Sequence, residues 1–162
     1  MQKLFSLMLA ITLLFSACNK SSTAEKCNYT APTVVASEAE IANLKAWLDA
    51  NSLPYTQHSS GIFYKIVAPG SGTIPVVCST VTVKYIGRLT TSSSPFDQNT
   101  TGVSFSLGQL ITGWQIGIPL VKKGGSIILY IPPSLGYGAA GAGSSIPPNS
   151  NLVFSIDLMD VQ

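Results

Sequence analysis

At 162 residues, 46% apolar and only 10% charged, the chain is long enough for one well-cored domain plus short appendages. Nine basic against seven acidic residues leave a formal charge of +2, with no Lys/Arg cluster beyond the pair Lys122 and Lys123, which excludes a phosphate-neutralising nucleic-acid surface. The sole histidine, His58, lies in "TQHSSG" with no Cys or acidic cluster near it in sequence, so no metal site is expected.

In chain order, "MQKLFSLMLAITLLFSAC" comes first: one lysine, an uncharged apolar run from Leu4 to Ala17, then Cys18. The pattern predicts an export signal, too short for a comfortable membrane span. "LLFSAC" resembles a bacterial lipobox, with Phe15 where an aliphatic residue is usual, and the resemblance implies acylation of Cys18 and a lipid anchor in the cell envelope. The alternative is an ordinary signal peptide with an incidental cysteine. Two cysteines then remain in an oxidising compartment, Cys27 and Cys78. They are expected either to pair, closing a long loop worth roughly 3 to 4 kcal/mol, or to stay buried as free thiols.

"NKSSTAEKCNYTAPT" reads as a polar tether. Order is expected from Ser37, where "SEAE" matches a Ser-x-x-Glu capping box and Ile41, Leu44, Trp47 and Leu48 share one face. A helix from Glu38 to Ala50 follows, stopped by Asn51 and Pro54 and docked through its Trp47 face onto the domain beyond it. A partner-binding helix is the competing reading.

From Gly61 the apolar period changes to two. "GIFYKIVAPGSG" predicts a short strand and a Pro/Gly turn, "TVTVKYIGRL" alternates Val81, Val83 and Tyr85, "GVSFSLG" alternates Val103, Phe105 and Leu107, and "NLVFSIDLMDV" alternates Leu152, Phe154, Ile156 and Leu158. "QLITGWQIGIPL" has helical spacing but carries Gly113, Gly117 and Pro119, so it supports only a short helix. "SIILYIPP" is apolar enough for a buried strand, and "YIPPSLGYGAAGAGSSIPPNS" after it reads by composition as a linker and by its apolar borders as a working loop. The expected class is α+β, an antiparallel sheet with one short internal helix.

In order, "VTVKYIGRL", "PFDQN", "FSLGQLITGWQIGIPLVKKGGSIILYIPPSLGYG" and "IPPNSNLVFSIDL" resemble the FKBP-type peptidyl-prolyl isomerases from Gly61 to the C-terminus. The resemblance implies a twisted antiparallel sheet wrapped around a short helix, with the pocket between them. It divides the chain into a signal peptide (1–17), a lipidated tether (18–36), a helix and connector (37–60) and an isomerase domain (61–162). Trp114 would floor the pocket against the substrate proline ring, and Tyr85, Phe96, Phe105 and Phe154 would wall it. Leu110 and Ile111 would form its rim, with the Ile111 N–H placed for a ligand carbonyl, and Asp97 and Tyr137 would supply polar contacts. Tyr85, Phe96, Asp97, Trp114, Tyr137 and Phe154 are thus the expected catalytic residues. Phe105, Leu110, Ile111, Ile146, Val103 and Ala142 are expected to bind substrate.

Two positions depart from the family pattern: Val103 stands where several members carry an aromatic residue, and the "AGAGSS" tip around Ala142 replaces a bulkier one. A looser rim and weak, unselective substrate binding are expected from both. The Gly/Pro stretch becomes the loop closing over the pocket, fixed at Tyr137 and returned through Ile146 and Pro147.

Rotation about an X-Pro bond is opposed by amide resonance, with a barrier of roughly 18 to 20 kcal/mol and no bond to break. A dry aromatic pocket disfavours the charge-separated amide and favours the twisted one, so neither nucleophile nor cofactor is called for. The implied partners are proline-containing polypeptides, with macrolide-type inhibitors as a second kind of ligand, and the implied state is a monomer. Two other functions compete: a proline-binding chaperone or adaptor without useful turnover, suggested by Val103 and Ala142, and an adhesin-like module, suggested by the Thr/Ser-rich sheet.

Overall fold

Ser37 starts the first helix as its sequence demands. Its hydroxyl accepts from the Glu40 N–H, and the Glu40 carboxylate accepts from the Ser37 N–H, closing the capping box over α1 (Glu38–Ala50). The structure, a computed structural model, describes residues 27–162. Cys18, the signal peptide and the first part of the tether lie outside the described residues. Leu44 and Leu48 are buried against Phe63 and Tyr130, and the Trp47 and Tyr130 rings meet at 6.4 Å. α1 therefore docks through the face that its periodicity marked.

Six antiparallel strands follow: β1 (Thr56–Gln57), β2 (Phe63–Ala68), β3 (Thr80–Leu89), β4 (Pro95–Ser106), β5 (Ser126–Ile131) and β6 (Leu152–Val161). Their order across the sheet is β1-β2-β5-β6-β3-β4. The alternation in β3 and β6 buries Val81, Val83, Leu152, Phe154, Ile156 and Leu158. β4 is longer than the "GVSFSLG" alternation predicted: it begins at Pro95, so Phe96 and Asp97 lie on a strand, with Asp97 paired to Gly87.

α2 (Thr112–Gly117) crosses the sheet and continues as a 3-10 turn over Ile118–Leu120. Its glycines have a packing role. A Cβ on Gly113 would come within 2.6 Å of Ile131 Cδ1, and one on Gly117 within 2.5 Å of Leu129 Cδ1. Only glycine lets the helix backbone lie this close to β5, and closeness brings Trp114 against the strands.

Residues 27–36, expected as free tether, lie along the domain instead. Cys27 is bridged to Cys78 with Cα atoms 5.6 Å apart, and the Ala36 N–H donates to Ser60 O at 2.9 Å, with Ala36 itself buried. A disulfide and a buried anchor remove the freedom that polar composition suggested. No helix among the described residues is long and apolar enough to cross a membrane.

Candidate active site

The site begins with the sheet's twist. Phe105 on β4, Tyr85 on β3 and Phe154 on β6 come from three adjacent strands, and Trp114 meets them from α2. Trp114 stands nearly perpendicular to Phe154 (centroids 5.1 Å apart, 88°), to Tyr85 (5.3 Å, 82°) and to Phe105 (6.3 Å, 81°). Such edge-to-face pairs are favourable by about 0.5–1.5 kcal/mol each beyond their burial. Phe96 meets Phe154 in the same way at 5.6 Å.

These rings enclose a cleft of about 200 Å³ lined by Tyr85, Phe96, Asp97, Phe105, Leu110, Ile111, Trp114, Tyr137 and Phe154. Nine of the residues predicted for the site are thus brought to one cavity. Trp114 is 4% exposed and Phe154 3%, so they present ring surface to the cleft from inside the core. None of the lining residues is a Ser, Cys, His or Lys, the side chains that most often make an activated nucleophile and its base.

Three predicted residues fall elsewhere. Val103 lies opposite Val83 in the β3–β4 ladder, half-buried but off the cleft lining; on this strand the wall is made by Phe105. Ile146 is 5% exposed in the main core. The bridge between Ala142 and Ile146 turns the loop tip back on itself, which sends Ile146 inward and leaves Ala142 packed at the core's edge. Gly141 makes that reversal with φ at +64°, and a Cβ there would collide with the Ile146 carbonyl oxygen.

The polar end of the cleft is a short network. Tyr85 OH donates to Asp97 Oδ2 at 2.6 Å. Burial first, then this hydrogen bond, pushes the Tyr85 phenol far above its ordinary pKa. Burial, with the Asp97 charge adding to it, pushes the Tyr137 phenol up as well. Both phenols are hydrogen-bonding groups at neutral pH rather than acids or bases. At the rim, Leu110 and Ile111 link the 3-10 turn Leu107–Gln109 to α2, and the Gln115 side chain donates to Leu110 O (2.7 Å) and Gly108 O (3.3 Å). Ile111 accepts from the Trp114 and Gln115 N–H groups, while its own N–H has no acceptor among the described residues.

The Tyr137 loop is held from outside. Glu40 on α1 accepts from the Ser134 N–H (3.0 Å) and Ser134 Oγ–H (2.7 Å) where the loop starts, and Asn43 Oδ1 accepts from Asn151 Nδ2 (3.0 Å) where it ends. Burial would raise the Glu40 pKa, but the hydrogen bonds from Ser134 and Ser37 together hold it below the ordinary carboxylate range. Sequence reasoning missed Glu40 in this role and also missed Gly87. A Cβ on Gly87 would come within 2.7 Å of Phe154 Cε1 and 2.8 Å of Phe96 Cζ, so the bare backbone makes room for two cleft aromatics. A glycine inside a strongly alternating strand was the available signal.

Fold and cleft together define the class: an antiparallel sheet closed by a short helix, presenting an aromatic pocket suited to gripping an apolar ring. Residues 72–159 match the model of the FKBP-type peptidyl-prolyl cis-trans isomerase domain, and the chain belongs to that family. It is 47% identical over 105 residues to a probable FKBP-type peptidyl-prolyl cis-trans isomerase of Haemophilus influenzae, covering 63% of this chain and 43% of the relative. It is 44% identical over 106 residues to FkpA of Escherichia coli K12, covering 64% of this chain and 39% of the relative. The chain thus spans about two-fifths of the length of these curated relatives. Among solved structures it is similar to Escherichia coli FkpA (TM-score 0.69, 39% identity, 76% of this chain and 60% of that one). It is similar also to a peptidyl-prolyl isomerase of Pseudomonas syringae (TM-score 0.68, 32% identity, 81% and 99%).

Proposed function

We propose that the protein accelerates cis–trans isomerisation of X-Pro bonds in exported polypeptides. The observation that carries this reading is the cleft itself, in which three aromatic rings converge on Trp114, a fourth, Phe96, joins through Phe154, and one hydrogen-bonded Tyr–Asp pair stands at the edge. In this reading the proline ring lies on the Trp114 indole between Tyr85, Phe96, Phe105 and Phe154, and the preceding carbonyl accepts from the free Ile111 N–H. Tyr137 and the Tyr85–Asp97 pair face the rotating amide. Withdrawal of that amide from water disfavours its charge-separated form and lowers the rotational barrier without covalent chemistry. Macrolide-type inhibitors would compete for the same cleft.

A protease-coupled assay on an X-Pro tetrapeptide tests the proposal. The purified protein should accelerate the slow phase, and Trp114→Leu or Phe154→Ala should abolish most of the effect; an unaltered slow phase with the folded wild-type chain refutes it. The features that favoured a binding-only adaptor, Val103 and Ala142, lie off the cleft lining, and no other observation favours that reading.

Export follows from the apolar leader, and anchoring by acylated Cys18 from the lipobox-like "LLFSAC". Labelled palmitate should enter the wild-type chain and not Cys18→Ser. The paired Cys27 and Cys78 suit an oxidising compartment. A monomer in light scattering is expected, because α1 spends its apolar face on its own domain.

A further inference from the structure

The segment before α1 lies outside the stretch that matches the family model, yet it reaches the cleft's supporting structure. From Cys27 the chain passes directly over the disulfide, and both sulfurs lie 3.8 Å from the Tyr29 carbonyl oxygen. Cys78, at the other end of the bridge, precedes Ser79, whose carbonyl accepts from the Leu107 N–H at 3.0 Å. The bridge therefore ends beside the point where β4 gives way to the 3-10 turn Leu107–Gln109. Two residues beyond Cys27, the Tyr29 ring lies flat against Gly108: a Cβ at that glycine would run into Cγ and stand 2.6 and 2.7 Å from Cδ2 and Cδ1.

Gly108 is the first residue of the rim that the core does not hold. Leu107 before it is fully buried. Leu110 and Ile111 after it line the cleft, and Gln115 from α2 braces the span by binding Gly108 O and Leu110 O. Gln115 holds the rim through its carbonyls; Tyr29 holds it against the Gly108 Cα. Nothing in the proposed chemistry uses Tyr29, which is 40% exposed, so an aromatic side chain kept at the surface by a disulfide calls for another role.

We propose that Tyr29, held in place by the Cys27–Cys78 bridge, is a positioning residue that fixes the Gly108–Ile111 rim on which the peptide flanking the proline is bound. The inference rests on the isomerase reading of the cleft. Its consequence is selective. The floor, Trp114 and Phe154, is held by the core and does not depend on the arm, so loss of Tyr29 weakens peptide binding and leaves the rotation step nearly intact.

The full chain, oxidised and then treated with dithiothreitol, provides the test. Each dithiothreitol delivers two electrons and two protons to the bridge, leaving two protein thiols and its own cyclic disulfide. With an Ala-Leu-Pro-Phe anilide as substrate, Tyr29→Ala should raise KM about five-fold while kcat stays within about two-fold, and Tyr29→Phe should restore the wild-type KM. Reduction should reproduce the KM rise in the wild type and add nothing in Tyr29→Ala. Gly108→Ala should also raise KM, by displacing the ring, and should be silent when combined with Tyr29→Ala. An unchanged KM in Tyr29→Ala overturns the inference, as do reduction and Tyr29→Ala effects that multiply. A wild-type chain without isomerase activity refutes the proposed function instead. The inference is then decided by hydrogen exchange at the Leu110 amide, which donates to Leu107 O and should quicken on reduction and in Tyr29→Ala; unaltered exchange overturns it.

Discussion

Glu40→Ala isolates what the added helix does for the rest of the molecule. The carboxylate accepts four hydrogen bonds, from the Ser37 N–H and Oγ–H (3.2 Å each) and from the Ser134 N–H and Oγ–H (3.0 and 2.7 Å). All four are partly solvated, so the low end of the usual range applies. Loss of the Glu40 half of the capping box costs about 0.5 kcal/mol and loss of the Ser134 tie about another 1 kcal/mol, a total of about 1.5 kcal/mol. For a domain of this size the melting temperature should fall by roughly 4–8 °C. The pH dependence gives the sharper check. Glu40 is held below its ordinary value of 4.5 in the folded chain, so its contribution is present above that value and lost as pH falls through the lowered one. Thermal unfolding followed by circular dichroism should therefore show a gap between the two chains at pH 7 that narrows as the pH falls below 4.5. A gap of the same size at pH 3 would refute the account. Because Ser134 opens the loop that carries Tyr137, hydrogen exchange in residues 134–140 should also quicken in the variant at pH 7.

Gly87→Ala should cost about 1–3 kcal/mol by forcing the Phe96 and Phe154 rings apart, and it should lower kcat/KM more than a surface change of equal stability effect; wild-type activity would show that the rings can give way. Replacing Cys27 and Cys78 by serine removes a link with a sequence separation of 51, worth up to about 4 kcal/mol in the chain-entropy model, and denaturant titration should register most of it as a lower midpoint. Isomerase activity should be flat from pH 6 to 9, since Tyr85 and Tyr137 both have raised phenol pKa values; their neutral forms stabilise the fold fully below about pH 10 and progressively less above it. A bell-shaped profile centred near neutrality would mean that a titrating group takes part.

The strands and the first helix were legible because each is encoded locally. Period-two alternation through Val81, Val83 and Tyr85 and through Leu152, Phe154 and Ile156 marks a buried sheet face, and "SEAE" followed by Ile41, Leu44 and Leu48 marks a capped amphipathic helix; the observed bounds, Glu38–Ala50, are those the pattern predicts. The aromatic lining was legible for another reason. Its six aromatic residues sit in a motif order whose resemblance implies a cleft, and they meet in one cavity with Asp97, Leu110 and Ile111.

What only the tertiary structure decided are the meetings of residues that local pattern does not connect. Val103 and Ile146 carry the right residue types, but a ladder position and a β-bridge put them off the cleft. Glu40 reaches Ser134 across 94 residues and Asn43 reaches Asn151 across 108, while the Tyr29 ring covers Gly108 because a disulfide brings the arm there. Side-chain periodicity reports which face of an element is buried, since burial acts on each residue separately. Which surface covers that face, and which backbone must be bare to admit it, depends on how the sheet twists and where the chain is tied, and those are properties of the whole fold.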